Sequence, residues 1–199
     1  MFSFSKKIKL FKMDKIKAIS YVAEINLKSK SAYKHQVLKM CDAFSAKGYK
    51  VNLYLINSSN IDFSKLKKNH KLKSKFEIIQ IFSRIKNLNF FSRIFFSIKI
   101  FFLLKSKGGL IYSRSVMTSM ILSIFSINNI LEIHQPNSGF TKILFNFLKK
   151  SFIQKNVKFV FINKNLNKKF LIPKGKFLIA DDGVDLRDFN EKIKIKNFK

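Results

Sequence analysis

The chain has 199 residues, 47% of them hydrophobic, and a formal charge of +29 from 40 Lys and Arg against 11 Asp and Glu. At this length one domain can bury roughly 70% of the surface its unfolded chain exposes. Six Gly and two Pro exclude a collagen-like or low-complexity chain, and a single cysteine, Cys41, excludes an internal disulfide or a multi-cysteine metal site.

The charge invites a nucleic-acid reading, but only four of the basic residues are arginine: Arg84, Arg93, Arg114 and Arg187. A surface that reads phosphates favours arginine, whose planar fork binds two oxygens at once. Lys, Phe, Ile and Asn dominate together, as an AT-rich coding sequence imposes. Nucleic acid is therefore not expected as a partner, whereas an anionic membrane surface, to which each nearby Lys adds ~1 kcal/mol of attraction, stays open.

Residues 1–14 form a basic tail, MFSFSKKIKLFKMD, without the continuous apolar core or cleavage site of a signal peptide. KIKAISYVA (15–23) reads as a buried strand. AYKHQVLKMCDAFSAKG (32–48) reads as a helix stopped by Gly48, with Cys41 as a small buried hydrophobe. KVNLYLI (50–56) is a second strand. The Lys-rich segment 57–75 holds at most one short helix, and FEIIQIF (76–82) is a third strand. FFSRIFFSIKIFFLLK (90–105) is too short for a bilayer and is interrupted by Arg93 and Lys99. Its Phe91, Phe95, Ile98 and Phe102 recur at helical spacing, and that stripe is expected to pack on a sheet, with a helix lying on a membrane as the alternative. GLIYS (109–113), NILEIH (129–134), KFVFIN (158–163) and KFLIA (176–180) complete the strands. Helices around VMTSMILSIF, over 138–155 with Ser138 as cap, and near KNLNKKFL separate them.

Seven apolar strands alternating with helices predict an α/β, Rossmann-like, doubly wound parallel sheet with helices on both faces and right-handed crossovers. In such sheets ligands sit at the carboxyl ends of the strands. That selects EINLKSKSAYKHQ after the first strand, SRS after the fourth, HQPNSG after the fifth and DDGVD after the seventh. None of these loops carries GxGxxG, GxxxxGK[ST] or GxSxG. His35, His70 and His134 are scattered without an HExxH or CxxC context, so no metal is expected.

Two polar residues stand out. Glu132 and His134 point to one face of a strand that is otherwise apolar. A buried carboxylate is costly without a partner, and Arg114, at the end of the preceding strand, is positioned to pair with it. His134 then projects at the mouth of the crevice, where an imidazole can donate a hydrogen bond or relay a proton.

SAYKHQVLKMCDAFSAKGYKVNLYLI, IYSRS, ILEIHQP, FVFINKNL and IADDGVDLRDF occur in the order, and at about the spacing, of family 4 glycosyltransferases. Over residues 15–190 the chain resembles the acceptor-side N-terminal domain of these retaining, GT-B-fold enzymes. The resemblance implies that His134 is the active-site histidine that positions the transferred sugar. It implies that Ser31, Tyr33 and His35 face the acceptor, and that Asp182, Gly183, Val184 and Asp185 form the junction to a donor-binding lobe. The cofactor expectation is none; a nucleotide-sugar is the co-substrate.

Two departures accompany the resemblance. NLKSKSAY replaces a Gly-Gly pair that lets backbone amides approach the donor phosphates in many members. Only a short tail, 191–199, follows the junction, without the acidic motif of paired glutamates that binds the donor. The expectation is the acceptor half of a hexosyltransferase that modifies a cell-surface glycan or glycolipid. Such a half is inactive alone, and is either completed by a separate donor-binding subunit or the product of a shortened gene. It is expected in the cytoplasm or at the inner face of the plasma membrane. The alternative is a non-catalytic basic module on the same fold that binds membranes or nucleic acid.

Overall fold

The computed structural model describes residues 16–25, 27, 31–56, 62–81, 89–136, 138–150, 155–173 and 175–180. In chain order the elements are β1 (Ala18–Ala23), α1 (Ala32–Ala46), β2 (Lys50–Leu55), α2 (Phe63–Asn69), β3 (Glu77–Gln80), α3 (Phe90–Leu104) and β4 (Leu110–Ser113). They continue with α4 (Val116–Ile124), β5 (Asn129–Ile133), α5 (Gly139–Lys150), β6 (Val157–Phe161), α6 (Lys164–Phe170) and β7 (Phe177–Ile179). All seven strands lie in one sheet of order β3-β2-β1-β4-β5-β6-β7, and every neighbouring pair is parallel. This is the Rossmann-like, doubly wound arrangement. The tail 1–14, the turn 182–185 and the tail 191–199 lie outside the described residues.

The strands are apolar on both sides because both sheet faces are covered. Ile19, Tyr21 and Ala23 of β1, Leu53 of β2 and Tyr112 of β4 pack with Val37, Leu38 and Cys41 of α1. The alternate residues Val22, Tyr54 and Ile111 meet Phe96, Ile100 and Leu104 of α3 and Leu122 of α4 on the opposite face. Farther along that face, Leu131 and Ile133 of β5 and Phe159 and Phe161 of β6 bury Phe145 and Leu148 of α5 and Phe170 of α6.

Local sequence sets the helix starts. Ser31, Asp62, Asn89, Ser115 and Asn163 each accept a backbone N–H of the first turn with their side chains, relieving donors the helix itself cannot satisfy. Ser138 stands just before α5, and its carbonyl accepts the Lys142 N–H at 3.3 Å. Past α1, Gly48 takes a φ of +86°, the left-handed conformation that a helix stop of this kind requires.

The structure corrects one expectation about α3. Phe91, Phe95, Ile98 and Phe102 face outward, whereas Ser92, Phe96, Ser97, Ile100 and Leu104 are buried. This helix is apolar nearly all round, so periodicity alone offers two stripes. Packing selects the one with small residues: α3 lies against α4, where the Ser97 and Thr118 hydroxyls are hydrogen-bonded at 2.9 Å in the fully buried seam. A phenylalanine at Ser97 would hold the two helices apart.

Candidate functional site

Strand order reverses between β1 and β4, because the chain winds outward from β1 to β3 and returns through α3 to β4. At such a point the loops leaving two neighbouring strands diverge and open a crevice. Here it has a volume of about 690 Å³. Glu24 enters it just after β1, Arg114 and Ser115 just after β4, and His134 just after β5. Tyr33 and Gln36 reach it from α1, and Arg93 from α3.

Glu132 and Arg114 form the floor. The Arg114 Nε lies 3.6 Å from Glu132 Oε2, and both side chains are nearly inaccessible to solvent. The Tyr21 hydroxyl, fully buried on β1, donates to the same Oε2 at 3.0 Å. On the crevice side, Glu132 Oε1 is 2.6 Å from His134 Nε2. Burial by itself pushes the Glu132 carboxyl up. The hydrogen bond from His134, the Arg114 charge and the Tyr21 hydroxyl outweigh it and hold the carboxyl below its ordinary value. An ionised carboxylate can only accept, so His134 Nε2 carries the proton of this bond, and in the neutral ring Nδ1 is the acceptor nitrogen. Glu132 thereby fixes both the tautomer and the orientation of the imidazole, as the buried carboxylate does in a catalytic triad.

Arg114 is itself held in place. Its guanidinium lies 4.4 Å over the Tyr33 ring, and Nη2 donates to Gln36 Oε1 at 3.3 Å. Among the described residues its Nε and Nη1 make no hydrogen bond. Both atoms are buried in the crevice floor, so the guanidinium acts on the crevice through its charge rather than by direct contact with a ligand.

Glu24 is the second carboxyl group. Ser115 Oγ donates to its Oε1, and Arg93 Nε lies 3.3 Å from Oε2. Burial pushes this carboxyl up, and Ser115 and Arg93 offset the effect only in part. Two carboxyl groups in one crevice are therefore driven in opposite directions. Glu132 stays ionised and holds His134, while Glu24 keeps its proton to higher pH, the division of labour that general acid–base chemistry uses.

The residues expected to face an acceptor are divided. Tyr33 lines the crevice under Arg114, and burial pushes its hydroxyl pKa upward. Ser31 caps α1 through Lys34 N at 3.3 Å. His35 points to α2 instead, with its Nδ1 3.0 Å from Nδ1 of His70. Asp182, Gly183, Val184 and Asp185 are outside the described residues. Among those described, no three His, Cys, Asp or Glu side chains gather to hold a metal ion. Sequence reasoning missed Glu24, Gln36 and Arg93. Glu24 had a usable signal, since it is the first charged residue after an apolar strand at the point where strand order reverses.

With this geometry in place, comparison with known proteins narrows the fold. No protein-family model and no curated protein matches the chain. Among solved structures, a glycosyltransferase from Rickettsia africae superimposes with a TM-score of 0.58 at 14% identity, over 88% of this chain and 45% of that one. Anabaena HepE, solved in complex with UDP and glucose, superimposes with a TM-score of 0.56 at 10% identity, over 86% of this chain and 46% of its own. The fold is glycosyltransferase-like. The chain spans about half the length of each of these proteins.

Proposed function

We propose that the chain is the acceptor-side part of a retaining, family 4-type glycosyltransferase that transfers a hexose from a nucleotide-sugar to a cell-surface glycan or glycolipid at the inner face of the plasma membrane. One observation carries this reading: the His134–Glu132–Arg114 array stands at the carboxyl rim of a parallel sheet with a glycosyltransferase-like fold. The UDP and glucose held by HepE support a nucleoside-diphosphate sugar as donor. Donor binding belongs to a second lobe facing this rim, within a longer polypeptide or on a separate subunit.

In this reading, His134 is a catalytic residue whose Nδ1 accepts a hydrogen bond from a hydroxyl of the transferred sugar, with Glu132 as its positioning residue. Glu24 takes up or shares the proton of the acceptor hydroxyl, and Arg114 stabilises negative charge that develops nearby. Tyr33 provides a flat wall against which a sugar ring stacks. The nucleoside diphosphate leaves from the face that the acceptor attacks, so the anomeric configuration is kept.

The test combines glycan-array binding with a donor-turnover assay, each on the 199-residue chain and on the same chain with a donor lobe added. The chain alone should bind acceptor glycans and leave nucleotide-sugars intact. Transfer should appear on reconstitution and fall at least ~100-fold in the His134→Ala variant, the scale of a general acid–base residue. Turnover of nucleotide-sugar by the chain alone at ordinary enzymatic rates would overturn the acceptor-side assignment. Undiminished transfer by His134→Ala would remove His134 from the mechanism.

A further inference from the structure

The outward faces of α3 and α5 leave a large apolar surface in water. On α3, Phe91, Phe95 and Phe102 are 67%, 61% and 58% exposed, with Ile98 between them, a stripe at i, i+4, i+7 and i+11. On α5, Phe140, Ile143 and Phe147 are exposed at i, i+3 and i+7, while Phe145 and Leu148 face the core. Phe125, at the end of α4, is exposed and stacks on Phe101 of α3 at 4.3 Å. A contiguous apolar surface of this kind on a folded chain marks an interaction site.

Charge identifies the occupant. Between Glu77 and Asp181 the sequence holds a single acidic residue, Glu132, and it is buried in the crevice floor. The half of the molecule carrying α3 to α6 therefore turns only cationic groups outward among its charged described side chains. Lys105, over the Phe102 ring at 5.1 Å, and Lys142, between Phe140 and Ile143, stand at the edges of the two stripes. A second copy of a chain with a charge of +29 would meet repulsion on this face. Among the described residues no helix is long and apolar enough to cross a membrane, so insertion from one side is the matching geometry.

We propose that the outward faces of α3 and α5 dock the protein on an anionic lipid bilayer, with the phenylalanines inserted among the acyl chains and the lysines at the phosphates. Phe90 and Phe140 meet edge to face at 4.6 Å and both line the crevice. The docking surface thus runs up to the crevice mouth and holds it at headgroup level. This inference stands apart from the reading of the crevice chemistry, because no sugar takes part in it.

The test is co-sedimentation of the full chain with vesicles of phosphatidylcholine alone and of phosphatidylcholine with phosphatidylglycerol. Wild type should bind the anionic vesicles. The triple variant Phe91→Ser, Phe95→Ser, Phe102→Ser should bind at least ~10-fold more weakly, since affinity scales with inserted apolar area. Its circular dichroism should be unchanged. Phe91→Ser alone should weaken binding less, in the same direction, and serves if the triple variant folds poorly. Lys105→Gln with Lys142→Gln should weaken binding to anionic vesicles and narrow, without removing, the preference for them over neutral ones, since the other lysines remain. The proposal is overturned if wild type ignores the anionic vesicles, or if the serine variants bind like wild type. It is equally overturned if the face instead mediates self-association or capture of an acidic protein, seen as a complex in sedimentation velocity that the serine variants lose while vesicle binding is absent.

Discussion

The Tyr21 hydroxyl and the Glu132 carboxylate, 111 residues apart in sequence, are joined by a 3.0 Å hydrogen bond beneath the crevice. Tyr21 also stacks on Tyr112 with ring centroids 5.1 Å apart, so the donor sits on a rigid ring. Removing it in Tyr21→Phe leaves the carboxylate one partner short in a dry site. The expected loss is about 2 kcal/mol, the scale of a hydrogen bond to a charged group, measured by urea unfolding. An unchanged midpoint and slope would show that the bond contributes nothing.

The Arg114–Glu132 pair should behave as a unit. Glu132→Gln leaves the Arg114 charge buried without its partner, at a cost of about 3–5 kcal/mol. Arg114→Met should cost a similar amount, and Arg114→Met with Glu132→Leu much less than the sum. The Glu132 carboxyl is held below its ordinary value of 4.5 in the folded chain. Its contribution is therefore present above about pH 4.5 and is lost as pH falls through the folded value. Unfolding measured from pH 7 downward should show an acid-sensitive limb in wild type that is flatter in Glu132→Gln. Equal limbs would contradict the assignment.

Glu24 should give the opposite pH dependence. Its carboxyl is raised above 4.5 by burial, so its contribution is fully present below about pH 4.5 and is lost as pH rises through the folded value. Glu24→Gln removes the ionisation and keeps a hydrogen-bond acceptor for Ser115. Relative to wild type, the variant should gain stability as pH rises from about 4.5 through the folded value of Glu24, and level off above it, while weakening acceptor binding. A stability difference that does not vary with pH would place Glu24 in contact with bulk water.

Two glycines separate backbone strain from crowding. At Gly109, φ is +109° and an added Cβ would lie 2.6 Å from the Ala18 carbonyl oxygen, so Gly109→Ala must push β4 away from β1. A loss of about 3 kcal/mol or more is expected, the range of strained overpacking. Gly48 has a φ of +86° with open space around it. Gly48→Ala should cost only the left-handed penalty of about 1–2 kcal/mol. Thermal unfolding of the two variants side by side checks the difference.

The strands were legible because their burial on both faces demands uninterrupted apolar runs, and VFI or YVA tolerates little else. Glu132 and His134 were legible for the converse reason, as polar groups on a strand that is otherwise apolar. The helices hid more. His35 lies two residues from Tyr33, about 200° around α1, so one faces the crevice and the other faces α2. Nothing in the sequence states which rotation the tertiary packing selects. On α3 the choice between two apolar stripes was made by Ser97 and Thr118, a pair that shows itself only when two helices meet. Asp42 is a similar case: buried on α1, its Oδ1 accepts the Lys73 and Ser74 N–H groups at 3.0 and 2.6 Å.

The central position of β1 has a consequence for biogenesis. It precedes both of its neighbours in the chain, yet β4 begins only at Leu110, well after β2 has covered the other edge. Until then the nascent chain holds a bare row of amide and carbonyl groups flanked by Val22 and Tyr21, a template for misdirected pairing with other chains. That edge of β1 is closed only once the chain through Ser113 is available to pair with it.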